Sequence, residues 1–309
     1  MASAPVPPAA LPAAAAGGRP GGGGRRGGQF DLLESLAPQR AEALAALRAL
    51  LASWPAVVVA YSGGVDSALV AALAVESLGE GAEAITGVSP ALAPHLRREA
   101  RAQARWLGLR QREIDTAELA DPAYADNPGD RCRACKSELH RRLAAIAAAA
   151  GGIPVLDGVN RDDLGDHRPG IAAARAWGVR SPLAEVGLDK AGVRAISRAL
   201  GLPWWDKPAQ PCLASRFPYG EPISRSRLER VAAAEEWLRQ RGWSEIRVRC
   251  QGETARIELP AARLATTLAG LAEGSLRGEL IGAFLSLGFT AVSLDLEGLV
   301  SGKLNRDLA

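Results

Sequence analysis

What this sequence has little of narrows its class before any motif is read. Four cysteines in 309 residues are too few for the disulfide framework of a small secreted protein. Their thiols are expected to stay reduced in a cytoplasmic setting, kept for metal binding or chemistry. No uninterrupted apolar run is long enough to span a bilayer, so no membrane association is expected. Charge of one sign is also scarce: 37 Lys and Arg face 34 Asp and Glu, a formal net charge of +3. Such a balance gives little long-range field for gripping a polyanion and weighs against a nucleic-acid partner. The first residues lack the basic start and strongly apolar stretch of a secretory signal. Residues 1–28, biased to Ala, Pro and Gly, are expected to form a disordered low-complexity tail, with Arg25 and Arg26 a weaker sign of a transit sequence. No internal repeat is evident.

What is present is an ordinary globular composition, 48% hydrophobic and 23% charged. That length can bury a core and suggests two domains. Apolar residues at helical spacing over Leu32–Leu51 predict a first helix. Ala56–Tyr61, a short β-branched run, predicts a buried parallel strand. Further strands are expected at Ala84–Ser89, Leu109–Ile114 and Ile153–Gly158. They alternate with helices at Ser67–Leu78, His95–Leu107, Arg131–Ala149 (Asp130 as its N-cap) and Leu188–Leu200. Strands alternating with helices indicate an α/β fold with a parallel sheet covered on both faces. After the loop Pro203–Pro222 the pattern changes to a helix at Ser224–Arg241, a hairpin of Trp243–Cys250 and Thr254–Leu259, two helical stretches and a strand at Thr290–Leu296. The expected organisation is an α/β domain over 29–220 and a small α+β domain over 221–309.

Ser62-Gly63-Gly64-Val65-Asp66-Ser67 falls between a predicted strand and a predicted helix, where α/β proteins bind anions. Adjacent glycines permit backbone angles that side chains forbid, so the amides can turn inward as a nest. The following helix adds its positive end, and Ser62 and Ser67 add hydroxyls. The Gly-Lys-Ser/Thr ending of a Walker A loop and the three-glycine dinucleotide fingerprint are both absent. The complete hexapeptide resembles the loop of the ATP pyrophosphatase superfamily, whose members cleave ATP between its α and β phosphates.

Cys132 and Cys135 sit near the start of a predicted helix, three apart and therefore on one face. A helix N-terminus favours thiolate. Cys212 lies far off in Pro211–Arg216. Three thiolates without a fourth suit an iron–sulfur cluster with one open iron better than a structural zinc site. The competing reading is three unconnected small core residues. Cys250 reads as a buried bystander. Arg247 and Arg249 alternate on a strand and share a face, suited to phosphate oxygens or equally to plain solvation. Glu235 and Glu236 fall on a helix where a solvated surface is the default.

These residues together resemble the ATP-dependent sacrificial sulfur transferases of nickel-pincer cofactor synthesis, the LarE family. The resemblance runs from about Phe30 to the C-terminus. It is carried by Ser62–Ser67, Asn127-Pro128 with Arg131-Cys132 and Cys135-Lys136, and Gly158–Asp166 running into Arg168-Pro169-Gly170. Val179–Leu183, Trp205–Pro208, Cys212–Arg216 with Pro218–Gly220, Ala255–Glu258 and Leu294–Gly298 complete it. Departures are mild: His167 where an aromatic is common, and Leu299-Val300 for a more polar pair. The resemblance implies an ATP pyrophosphatase-like fold and adenylation of the carboxylates of pyridinium-3,5-biscarboxylic acid mononucleotide. Sulfur then replaces AMP to give thiocarboxylates. It implies Ser62–Ser67 and Ser89 at the nucleotide, magnesium on the phosphates, and Ser215, Arg216, Arg247 and Arg249 on the substrate phosphate. Glu235 matches an active-site carboxylate. In single-cysteine relatives the residue matching Cys212 gives up its own sulfur. The further presence of Cys132 and Cys135 implies instead a [4Fe-4S] cluster ligated by Cys132, Cys135 and Cys212. Implied partners are a sulfide donor, a downstream nickel-insertion protein and further copies of this chain, as a homo-oligomer such as a hexamer.

Two enzymatic rivals share parts of this pattern. A tRNA thiolase would need a basic RNA-binding surface, and an ammonia-using synthetase would leave the cysteines unexplained. A nucleotide-sensing module without chemistry would release no pyrophosphate.

Overall fold

A computed structural model describes residues 25–26, 29–165, 169–300 and 302–308. The expected tail up to Gly28, apart from Arg25 and Arg26, and the Asp166–Arg168 part of the motif lie outside the described residues. The chain forms two compact units. The first, the nucleotide unit, comprises the described residues up to Asp121 together with Asp130–Pro211. The second, the C-terminal unit, comprises Pro122–Gly129 with the described residues from Cys212 onward.

The nucleotide unit is α/β. Helix α1 (Pro38–Ala52) precedes strand β1 (Val57–Ala60), helix α2 (Val65–Leu78), strand β2 (Ala82–Val88), helix α3 (Pro94–Leu107) and strand β3 (Arg110–Asp115). Helix α4 (Cys132–Ala149), strand β4 (Val155–Leu156), helix α5 (Pro169–Ala176) and helix α6 (Lys190–Ala199) follow. The sheet is parallel in the order β3-β2-β1-β4, with Val57 opposite Ala82 and Val58 opposite Val155. Alternation along β1 serves two cores. Val57 and Val59 pack with α1, α2 and α6 residues, while Val58 packs with Leu143 and Ala147 of α4 and Ala174 of α5. Helix α2 is buried along ten of its residues from Val65 to Val75, which explains why it reads as hydrophobic all round rather than as a stripe.

Several sequence expectations shift. Helix α1 starts at Pro38, not Leu32, because proline fits the first helical position. Strand β4 is two residues, not the expected six. Asp130 does not cap α4 with its side chain; its carbonyl accepts from Arg133 N at 2.8 Å. By contrast, the unforeseen Asp189 caps α6, accepting from Gly192 N.

The C-terminal unit is α+β. Helix α7 (Arg225–Gln240), capped by Ser224, precedes the hairpin β5 (Arg247–Gln251) and β6 (Thr254–Glu258). Helices α8 (Leu264–Glu273) and α9 (Leu276–Ser286) lead to β7 (Ala291–Leu294). The sheet order is β5-β6-β7, antiparallel then parallel. Pro122–Gly129 belongs here through main-chain bonds: Gly220 N donates to Asn127 O at 3.0 Å and Ile223 N to Ala125 O at 2.7 Å. Buried Asn127, at φ 57°, donates its side-chain amide to Pro218 O at 2.6 Å.

Candidate functional site

In the nucleotide unit the chain leaves β1 at its carboxyl end and turns through Ser62–Gly64 into α2. Gly63 has φ +68°, and a Cβ there would stand 3.0 Å from the Cα of Ala100, so glycine is required on both counts. Ser62 Oγ lies 3.1 Å from Ser67 Oγ and accepts from Gly64 N at 3.3 Å, while Ser67 Oγ donates to Gly64 O at 3.2 Å. No side chain caps α2, leaving its first amides to an anion. The base of the loop is fixed from below. Thr86 Oγ1 donates to Tyr61 O at 2.8 Å, and the Tyr61 phenol donates to Gln103 Oε1 at 3.0 Å. Burial pushes the Tyr61 phenol far above its ordinary pKa, so it remains a donor.

The exit of β4 comes close to the same loop. An ideal Cβ on Gly158 would lie 2.6 Å from Ser67 N, nearer than any side chain can sit. Beyond Gly158, Asn160 Nδ2 donates to Asp66 Oδ1 at 3.2 Å, and Lys190 Nζ forms an ion pair with Asp66 Oδ2. Lys207 Nζ reaches Gly63 O at 3.0 Å and Glu99 at 2.8 Å. Asn160 and Lys207 stood inside motifs without a role, and Lys190 carried no sequence signal at all. Ser89 is half-buried just past β2, and its Oγ accepts from Ala91 N at 3.2 Å. Buried Asp157, one residue before Gly158, is raised above the usual carboxylate range mainly by desolvation. His140, buried on α4, is held neutral by burial and by Lys136, its pKa lowered to about 3.

Cys132 and Cys135 open α4, the first exposed and the second half-buried. Cys212 is exposed in the C-terminal unit, just before the short helical turn Leu213–Arg216. These are soft, accessible sulfur donors, the chemistry an iron–sulfur cluster takes. Within neither unit do three or more His, Cys, Asp or Glu side chains of the described residues form a group that could hold a metal ion. Cys250 is buried, its thiol donating to Gly252 O at 3.2 Å.

The C-terminal unit gathers Ser215, Arg216, Arg247 and Arg249 around two buried carboxylates. Arg216 Nε donates to Glu235 Oε1 at 2.8 Å, both side chains being at most 2% exposed. Glu235 also accepts from Val248 N at 3.1 Å and from Arg239 at 3.3 Å. Burial alone would push the Glu235 carboxyl up, but the charge and hydrogen bonds of Arg216 outweigh it and hold it below the ordinary value. The solvated position expected for Glu235 is therefore overturned, because the turn carrying Arg216 and strand β5 cover that face of α7. Glu236 is half-buried.

Arg249 pairs with buried Glu258, Nε to Oε1 at 3.0 Å, and donates through Nη1 to Ser215 O at 2.5 Å. A freely solvated strand face is thus excluded for this residue. Ser215 Oγ donates to Cys212 O at 2.8 Å and accepts from Arg216 Nη1 at 2.9 Å. Arg247 differs from its neighbours. It is half-buried and makes no ion pair among the described residues. Burial, then repulsion from Arg216 and Arg249, lowers its pKa. Glu258 and Glu235 offset that repulsion only in part, and a cation crowded by cations suits an anionic ligand. Glu258, the carboxylate that anchors Arg249, was legible only as part of a motif.

Among the described residues no helix is long and apolar enough to cross a membrane. The NAD synthase family matches residues 46–141, which include the Ser62–Ser67 loop. An uncharacterised protein of Synechocystis is 52% identical over 262 residues, covering 85% of this chain and 96% of that protein. An uncharacterised protein of Methanocaldococcus jannaschii is 28% identical over 243 residues, 78% of this chain and 89% of its own length. The pyridinium-3,5-bisthiocarboxylic acid mononucleotide synthase of Lactiplantibacillus plantarum is 36% identical over 277 residues, 89% of this chain and 97% of that enzyme. A likeness spanning almost the whole of that synthase, joined to the NAD synthase match over the strand–loop–helix, shows that this chain belongs to the LarE family of ATP-dependent sulfur transferases.

Proposed function

We propose that this protein adenylates the carboxylates of pyridinium-3,5-biscarboxylic acid mononucleotide and converts them to thiocarboxylates; its Lactiplantibacillus relative is named as the synthase of pyridinium-3,5-bisthiocarboxylic acid mononucleotide. A substrate carboxylate oxygen attacks the α-phosphorus of ATP, and pyrophosphate leaves. A sulfide-level nucleophile then attacks the acyl carbon, and AMP leaves. Two rounds yield the bis-thiocarboxylate used in nickel-pincer cofactor synthesis. The observation that carries this reading is the loop itself, a glycine-rich turn whose main chain, Ser62 and Ser67 hydroxyls and uncapped helix start converge where a departing diphosphate would sit.

The C-terminal unit has the separate task of holding the substrate's phosphate, and assembly into a homo-oligomer is assigned to it as well. Arg247 meets the phosphate charge, and Ser215 offers a hydroxyl. Arg216 and Arg249 shape the site from fixed positions on Glu235 and Glu258. Glu235 acts as a positioning residue rather than as the proton-transfer group.

A [4Fe-4S] cluster held by Cys132, Cys135 and Cys212 would supply an open iron for the sulfide. Magnesium would offset charge on the ATP phosphates. We place the enzyme in the cytoplasm, with a sulfide donor before it and a nickel-insertion protein after it. A tRNA thiolase would share the loop and the three cysteines, and a silent nucleotide module the loop alone; neither has a further observation in its favour.

The test is pyrophosphate release from ATP that depends on the biscarboxylate mononucleotide. A product mass showing one oxygen-for-sulfur exchange per round should accompany it. No substrate-dependent release would sink the reading. Iron and sulfide analysis after anaerobic purification decides the sulfur route. About four irons with an intact chain is expected from the ligand set; loss of hydrogen sulfide from Cys212 after turnover would show self-sacrifice instead.

A further inference from the structure

Ser62–Ser67 contains no lysine or arginine, and its one charged residue is Asp66. A helix start contributes only about half a unit of positive charge, too little for the diphosphate this loop is assigned to hold. Two ammonium groups reach the loop from distant segments of the same unit, and each is seated on a loop acceptor. Lys190, at the first position of α6, pairs with Asp66 across 124 residues of sequence. Lys207 donates to Gly63 O at 3.0 Å and pairs with Glu99 at 2.8 Å.

We infer that Lys190 and Lys207 are the phosphate-binding cations of this loop, and that Lys190 is exchanged between Asp66 and the incoming diphosphate. The inference rests on the pyrophosphate reading of the loop. The two lysines are prepared differently. The Lys207 side chain is 14% exposed and bridges two acceptors, so it is preset, with one of its three N–H donors left for a ligand. The Lys190 side chain is 34% exposed and has Asp66 as its ion-pair partner. Its backbone is fixed, because Lys190 N donates to Asp162 Oδ2 at 3.0 Å and the preceding Asp189 caps the helix and pairs with Arg161 at 2.8 Å. Only the side chain can move. When it turns to a phosphate oxygen, Asp66 keeps its bond from Asn160 on Oδ1. Its Oδ2 then becomes available to the divalent cation that accompanies the nucleotide. Lysine suits such a role as a mobile point charge.

The experiment titrates the full chain with inorganic pyrophosphate and, separately, with AMP, each with and without magnesium. Lys190→Met and Lys207→Met should each bind pyrophosphate at least about tenfold more weakly, a change of about 1.4 kcal/mol, while AMP affinity stays within about twofold. Lys190→Arg should recover most of the loss. Asp66→Asn frees Lys190, so metal-free pyrophosphate should bind at least as tightly as to wild type while the gain from magnesium disappears. Equal loss of AMP and pyrophosphate, with no recovery by Lys190→Arg, would reduce the lysines to structural struts and overturn the inference. So would variants that bind pyrophosphate like wild type. A wild type that binds neither ligand removes the pyrophosphate reading as well.

Discussion

In the nucleotide unit the loop itself offers main chain and small hydroxyls, its two lysines reaching it from other segments, and glycines at 63 and 158 let three segments of backbone come together. In the C-terminal unit the offered groups are guanidinium forks, two of them already seated on fully buried carboxylates. The first arrangement tolerates no added atoms but carries little buried charge. The second tolerates no lost charge. A buried pair is strongly destabilised when one partner is removed, because the other is left uncompensated in a poorly solvated place. Steric damage should therefore silence the first unit, and electrostatic damage should unfold the second.

The largest expected effect is on stability. Arg216→Ala leaves Glu235 with Arg239 and a backbone amide only, and should cost about 3–5 kcal/mol in urea unfolding. A loss below about 1 kcal/mol would break the contrast. Next is Gly158→Ala. Its methyl would sit 2.6 Å from Ser67 N and must displace the start of α2. Overpacking of this kind costs about 1–3 kcal/mol, and pyrophosphate release should fall far more than the folded fraction does. Arg247→Met sharpens the comparison inside the C-terminal unit. Lacking an ion pair to lose, it should leave stability within about 0.5 kcal/mol while raising KM for the mononucleotide about tenfold or more.

The smallest effect is a pH dependence in the nucleotide unit. Hydrogen bonds from Arg97 and then Arg101 lower the Glu113 carboxyl from 4.5 to about 2. A carboxyl depressed in the folded state contributes stability above its unfolded pKa and loses it as pH falls. The stability difference between wild type and Glu113→Gln should thus be present at pH 6 and shrink between about pH 4.5 and 2. It should be modest, since Arg97 and Arg101 are well exposed. A difference that grows on acidification would refute the assignment.

Much of the nucleotide unit was legible because its elements announce themselves locally. AVVVA before a Ser-Gly-Gly turn is a strand, and an apolar stretch after Asp66 is a helix. The loop was legible for the same reason. Less legible were features set by what covers a surface. Periodicity places Glu235 on a face of α7 but says nothing of the Arg216 turn laid over it. Lys190 looked like any polar residue at a helix start, because its significance lies in reaching Asp66 through space. The alternation of Arg247 and Arg249 was read correctly as one face, yet only packing separates the seated guanidinium from the unmatched one.

Pro122–Gly129 has a consequence for synthesis. The backbone crosses between units at Asp121–Pro122, Gly129–Asp130 and Pro211–Cys212. Asn127 bonds to Pro218, 91 residues later in the chain. The eight-residue insert emerges from the ribosome long before the 218–223 segment it docks against, so this part of the C-terminal unit cannot close until that segment has been made. A fragment beginning at Cys212 would lack a piece of its own interior, and a chain stopped before Cys212 would carry that piece with no surface to rest on.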